Sequence, residues 1–171
     1  SLHSDVVAPY IAHYGTPEQK ARYLEPLLDN RIVSCFAMTE PQGGADPKVF
    51  TTRAEQDGND WLISGQKWFA SNARYAAFYI VMAITDPTVS PYKGMSMFIV
   101  PADTPGIEIV RNVGVPDDPE ATHGYLNFDR VRVSAENMLG APGEAFVVAQ
   151  VRLGGGRVHH AMRVIGQSQK A

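Results

Sequence analysis

Phe78-Tyr-Ile-Val-Met-Ala-Ile84 and Met95-Ser-Met-Phe-Ile-Val100 are strand-length apolar runs separated by a polar loop, and they set the reading of everything around them. Trp61-Leu-Ile-Ser64 on one side and Ile107-Glu-Ile-Val110 and Tyr125-Leu-Asn-Phe128 on the other extend the same strand-like pattern from Val33 to Val133. Turn chemistry separates the runs: Asp57-Gly58-Asn59-Asp60 predicts a hairpin and Asp103-Thr-Pro-Gly106 a tight turn. Seven or eight short strands at this spacing, without helices between them, predict an antiparallel β-barrel or sandwich.

Outside that stretch the hydrophobic period is helical. Residues 4–14 and 17–29 read as helices, the second opened by Thr16-Pro17-Glu18-Gln19. That tetrapeptide offers a capping hydroxyl, a proline at the first helical position and a reciprocal glutamine. The apolar face of this helix is predicted as Ala21, Leu24, Leu27 and Leu28. After residue 143 a helical period returns, with Phe146, Val147, Val151, Val158, Met162 and Ile165 broadly on one side. Gly154-Gly155-Gly156 interrupts it at a cost of roughly 1 kcal/mol per glycine relative to alanine. A helix break, close packing or passage of a ligand chain would each account for such a run. Both ends of the chain fall in apolar-periodic sequence without terminating residues, so it reads as a piece of a longer protein.

At 171 residues and 44% hydrophobic content the chain can bury one good core with smaller attachments. A formal net charge of -3 gives no support for nucleic-acid or anionic-membrane binding, which need concentrated positive charge. Cys35 is the sole cysteine, so no intrachain disulfide forms; a reducing, cytoplasmic compartment is the natural reading, with Cys35 in a packing role. There is no apolar run long enough to span a bilayer as a helix. His159 and His160 are about 100° apart on a helix and are not expected to share a metal.

Two segments carry chemistry. Phe36-Ala-Met-Thr-Glu-Pro-Gln-Gly-Gly-Ala-Asp46 ends an apolar run in hydroxyl and carboxylate groups and opens into a glycine turn, whose bare N–H groups suit an anionic ligand. Gly65-Gln-Lys-Trp-Phe-Ala-Ser-Asn72 places aromatics beside a hydroxyl and an amide. Taken alone, Thr39-Glu40-Pro41 also fits a plain strand end and turn. Trp68 and Phe69, as strand neighbours, are expected on opposite faces, one in the core and one toward a ligand.

Paired, the two segments resemble the flavin-binding segments of the acyl-CoA dehydrogenase family. Val131-Arg-Val-Ser-Ala-Glu-Asn-Met-Leu-Gly140 is similar to the stretch that closes the family's middle domain. Arg152-Leu-Gly-Gly-Gly-Arg157-Val-His-His-Ala-Met-Arg163 is similar to the first long C-terminal helix, above all in the subgroup of human family members ten and eleven. The resemblance implies residues 1–32 as the end of an N-terminal helical domain, 33–140 as the middle β-barrel domain and 141–171 as the start of a C-terminal helical domain. It implies FAD as cofactor, with Phe36, Met38 and Thr39 at the flavin's pyrimidine edge, and Gly44 and Ala45 beside the pyrophosphate. Phe69 stands over the ring system in place of the usual tryptophan, and Ser71 replaces a threonine near the reactive flavin nitrogen. Ala45 lacks the hydroxyl that the family commonly has there. Arg157 matches an arginine near the pantetheine path of the substrate and fits a surface or domain-contact arginine nearly as well. Glu40 has a structural counterpart in the family.

The family reaction removes an α proton from an acyl-CoA and passes hydride from the β carbon to FAD, giving a trans-2-enoyl-CoA, and its members are homodimers or homotetramers. In some members the carboxylate base lies on the helix matching residues 143–171, where this chain has Gly156; no catalytic base is visible, and the chain alone is expected to be inactive. An acyl-CoA oxidase, a nitroalkane oxidase or a non-catalytic β-barrel binding module are the alternatives on this scaffold.

Overall fold

The computed structural model describes residues 6–43, 46–114 and 122–170. Among the described residues, seven strands build one curled half-barrel sheet, flanked by helices at its two ends. They are β1 (Val33–Ala37), β2 (Arg53–Asp57), β3 (Asp60–Ser71), β4 (Ala76–Ile84), β5 (Met95–Pro101), β6 (Ile107–Asn112) and β7 (His123–Ser134). The order is β1-β4-β2-β3-β7-β6, with β5 paired to β4. The hairpins β2–β3, β4–β5 and β6–β7 and the β3–β7 pair are antiparallel. The sequence spacing did not signal that β1 runs parallel to β4, or that β2 meets β4 in parallel at Arg53 and Ile84. The predicted two-residue hairpin is present: Asp57 pairs with Asp60 across Gly58, which takes a left-handed φ of 64°.

The apolar runs at 78–84 and 95–100 are continuous because both faces of β4 and β5 are covered. Phe78, Ile80, Met82, Met95, Met97 and Ile99 pack with Tyr10, Ile11, Tyr23 and Leu27 of the N-terminal helices and with Val148 and Ala149 of the C-terminal one. Tyr79, Val81, Ala83, Phe98 and Val100 turn the other way, into a second core with Ile63, Leu126, Phe128, Val131 and Val133. Cys35 is buried in this second core, where burial pushes its thiol far up.

The N-terminal helices begin with Ala8–Tyr14, and the next starts at Pro17 with the predicted capping box. The Gln19 N–H donates to Thr16 Oγ1, and the Thr16 N–H to Gln19 Oε1. Such caps contribute about 1 kcal/mol. The predicted apolar face is corrected. Ala21 is exposed and Leu28 is 62% exposed, while Gln19, Tyr23 and Leu27 are buried. Gln19 is held inward by its hydrogen bonds to the Glu136 and Met138 carbonyls, and a π-helical turn at Lys20–Leu24, one residue wider than an α-turn and ahead of Pro26, which has no N–H to donate, rotates the positions after it.

The C-terminal helix Ala145–Ser168 runs unbroken through the three glycines, so the helix-break explanation is also corrected. A Cβ on Gly154 or Gly155 would meet nothing within 4 Å, so neither glycine reflects close packing within the described residues. Ala145, Val148 and Ala149 anchor its first turn and a half, whereas Val147, Val158, Met162 and Ile165 of the predicted stripe are exposed. No helix among the described residues is long and apolar enough to cross a membrane.

Candidate functional site

The fold brings the two chemistry-bearing segments together. Where β1 ends, the Trp68 N–H of β3 donates to the Thr39 carbonyl at 2.8 Å. Beside it, Lys67 Nζ donates to the Met38 carbonyl at 3.0 Å and to Glu40 Oε1 at 2.9 Å. Both charged side chains are fully buried. Glu40 is satisfied on every side: Oε1 also accepts the Thr52 N–H, and Oε2 accepts the Thr51 N–H, the Thr51 hydroxyl and Gln42 Nε2. Burial pushes the Glu40 carboxyl up, but the Lys67 charge and the hydrogen bonds from Thr51, Lys67 and Thr52 outweigh it and hold it below the usual carboxylate range. Burial pulls the Lys67 ammonium down to about 8 against the opposing charge and hydrogen bond of Glu40. An anion so engaged is a poor proton acceptor, which agrees with the structural role expected for Glu40.

Lys67 was not singled out in the sequence, although a signal existed: the inward parity of Ile63 carries through Gly65 to Lys67. Its neighbours Trp68 and Phe69 break that parity. Phe69 adopts φ 54°, a left-handed backbone that is an outlier for an aromatic residue, and the β3–β7 register shifts between Lys67 and Ala70. The expected division of Trp68 and Phe69 between opposite faces is therefore corrected. Their rings meet edge to face with centroids 5.7 Å apart, and the inward positions belong to Lys67 and Ala70. Trp68 is half-buried between Tyr125, at 4.8 Å, and the Arg111 guanidinium, 4.9 Å from its ring. This braced indole supports Phe69, which stays 46% exposed. Strained bulges of this kind cluster where a side chain must be aimed.

Two residues on, Ser71 Oγ lies 2.7 Å from His123 Nδ1, and the His123 ring meets Phe69 edge to face at 5.9 Å. Phe36 turns its ring toward Tyr10, 5.4 Å away, so only its backbone is offered at the β1 end. The Thr39 hydroxyl has no partner among the described residues. Gly44 and Ala45 lie outside the described residues. Arg157 does not join the cluster: it is exposed on the C-terminal helix, where its guanidinium donates to Gln150 Oε1 at 2.6 Å. Thus the end of β1, with Phe36, Met38 and Thr39, is tied by the Lys67 and Trp68 hydrogen bonds to the end of β3, which carries Phe69 and Ser71. They present a half-exposed aromatic ring, two hydroxyls and an immobilised backbone. This donor set fits the polar edge and the planar face of an isoalloxazine.

The description "Acyl-CoA dehydrogenase, middle domain" belongs to the family model that matches residues 35–131, and "Acyl-CoA dehydrogenase, N-terminal domain" to the one that matches residues 1–31. The chain belongs to the acyl-CoA dehydrogenase family. It is 43% identical over 166 residues to acyl-CoA dehydrogenase family member 10 of Mus musculus, covering 94% of this chain and 16% of that protein. It is 44% identical over 165 residues to family member 11 of Gallus gallus, covering 92% and 21%. Among solved structures, one described as "a putative acyl-CoA dehydrogenase from Mycobacterium abscessus" matches with a TM-score of 0.85 and 40% identity, over 95% of this chain and 41% of that one. The subgroup of members ten and eleven expected from the sequence is thereby borne out, and the chain spans less than half the length of each of these relatives.

Proposed function

We propose that this chain is the FAD-binding middle part of an acyl-CoA dehydrogenase. The whole enzyme, a homodimer or homotetramer, would convert an acyl-CoA to its trans-2-enoyl-CoA. The observation that carries the reading is the convergence at the β1 and β3 ends. Lys67 and the Trp68 N–H fix the Met38 and Thr39 carbonyls, and the same strand delivers Phe69 and Ser71 beside them. Phe36, Met38 and Thr39 would hold the pyrimidine edge, Gly44 and Ala45 the pyrophosphate, and Phe69 and Ser71 the ring system. When bound, FAD would supply the two-electron acceptor for hydride leaving the β carbon. Arg157 is assigned to the pantetheine path of the substrate.

A base for the α proton is not supplied by the residues discussed. Glu40 is buried and committed to Lys67, and Gly156 has no side chain. With Phe69 left 46% exposed as the one aromatic wall for the ring system, the 171-residue chain alone should bind FAD weakly; without a base it should leave acyl-CoA unreacted, because general-base catalysis by itself contributes on the order of 100-fold to 10,000-fold. Anaerobic mixing of the FAD-loaded chain and of the whole enzyme with a panel of acyl-CoAs, followed by flavin absorbance, tests this. Bleaching by the whole enzyme alone is expected. Comparable bleaching by the chain, or none by the whole enzyme, would overturn it.

A further inference from the structure

His123 has no part in the reading above, yet it is placed with unusual definition. It lies opposite Ser71 in the β3–β7 ladder, and its carbonyl accepts the Val113 N–H. On the far side of Ser71 the Asn72 N–H donates to the Thr122 carbonyl at 2.9 Å. The imidazole is thus held by its backbone, by the 2.7 Å bond from Nδ1 to Ser71 Oγ and by the edge of Phe69.

A serine hydroxyl has one proton and two acceptor lone pairs. If Nδ1 is unprotonated, it takes that proton, and Ser71 faces outward only as an acceptor. If Nδ1 carries hydrogen, it donates to Ser71, whose own proton is then free for a ligand atom. The protonation of one imidazole nitrogen therefore sets the sense of the hydrogen bond that Ser71 offers.

We infer that His123 is a positioning residue that acts through Ser71, turning its hydroxyl into a donor toward an acceptor nitrogen and into an acceptor toward an N–H. The inference rests on the flavin reading of Ser71. Oxidised flavin presents a bare ring nitrogen at its reactive position, whereas the reduced ring presents an N–H there. The Ser71–His123 pair can satisfy both by rotating the hydroxyl and shifting the imidazole tautomer, with the Nδ1 proton exchanged through water from Nε2. No bond between heavy atoms is made or broken. A lone serine can also rotate, but without His123 its proton has no fixed partner in the reduced state.

The test compares dissociation constants for oxidised FAD and for dithionite-reduced FAD, measured anaerobically on the 171-residue chain and its variants. Their ratio isolates the redox-dependent contact from general folding, which affects both forms alike. His123→Phe should change the ratio roughly 2-fold to 10-fold, the scale of one net hydrogen bond. His123→Asn, which keeps a donor and an acceptor close to the Nδ1 position, should restore most of it. In a Ser71→Ala background His123→Phe should change nothing further. An unchanged ratio in a His123→Phe chain that still binds FAD, or the same effect with Ser71 absent, would overturn the inference and leave the flavin reading standing. Failure of the unmodified chain to bind either form at any FAD concentration would overturn both.

Discussion

Replacing Lys67 by methionine isolates the buried ion pair, because methionine keeps most of the side-chain length while removing the charge. Lys67 and Glu40 are both fully buried at 2.9 Å, and removing one partner of such a pair typically costs about 3–5 kcal/mol by stranding the other charge. Glu40 would keep two backbone N–H donors and the side chains of Thr51 and Gln42, so the loss should fall near the lower bound, about 3 kcal/mol. For a chain of this size that is roughly 6–12 °C in Tm. Urea unfolding followed by circular dichroism and by Trp61 and Trp68 fluorescence measures it. The double variant Glu40→Gln, Lys67→Met neutralises the stranded carboxylate and should recover at least half of the loss. A single-variant loss under about 1 kcal/mol, or a double variant less stable than the single, would refute the reasoning that burial makes the unpaired charge costly.

Three further outcomes follow from the same geometry. The Glu40 carboxyl is held below its ordinary 4.5 in the fold, so the stability it contributes is present above that value and is lost as pH falls below it; Glu40→Gln should flatten the acid limb of stability against pH. Phe69→Ala should weaken FAD binding roughly 2-fold to 10-fold by titration while costing under about 1 kcal/mol in unfolding, since the ring is half exposed and its backbone is left-handed. Gly65→Ala should destabilise by roughly 1–3 kcal/mol in urea unfolding, because φ is 144° and a Cβ would stand 2.6 Å from Thr52 Cα.

Elements fixed by contacts close in sequence were legible in the sequence. The Thr16–Gln19 box and the Asp57–Asp60 hairpin each depend on four consecutive residues, and both stand as read. The apolar runs at 78–84 and 95–100 also told their strands, because each is bounded by turn residues and is too short for a helix, although double-sided burial removes the polar alternation of a half-buried strand. What escaped depends on distant partners or on a local shift of phase. The π-helical turn at Lys20–Leu24 shifted the phase of the residues after it, leaving Leu27 buried and Leu28 exposed. The left-handed backbone of Phe69 put two aromatic rings side by side where simple alternation separates them. Parity along β3 marked Lys67 as inward, but its partner Glu40 lies 27 positions away, and His123 carried no local signal because its partner Ser71 lies 52 positions away. At the site, the pairing of residues 36–46 with 65–72 was legible through the family pattern, and the structure joins the two segments through Lys67 and Trp68 to Met38, Thr39 and Glu40. The arginine on the C-terminal helix stands apart from that cluster.

The most direct test of the central claim is a chemical-shift titration of the isotopically labelled 171-residue chain with FAD. Saturable, weak binding is predicted, with the largest perturbations at Phe36, Met38, Thr39, Phe69 and Ser71 and at His123 behind them. Saturable perturbations centred elsewhere on the molecule, or none at any FAD concentration, would contradict the assignment of the flavin to the β1 and β3 ends.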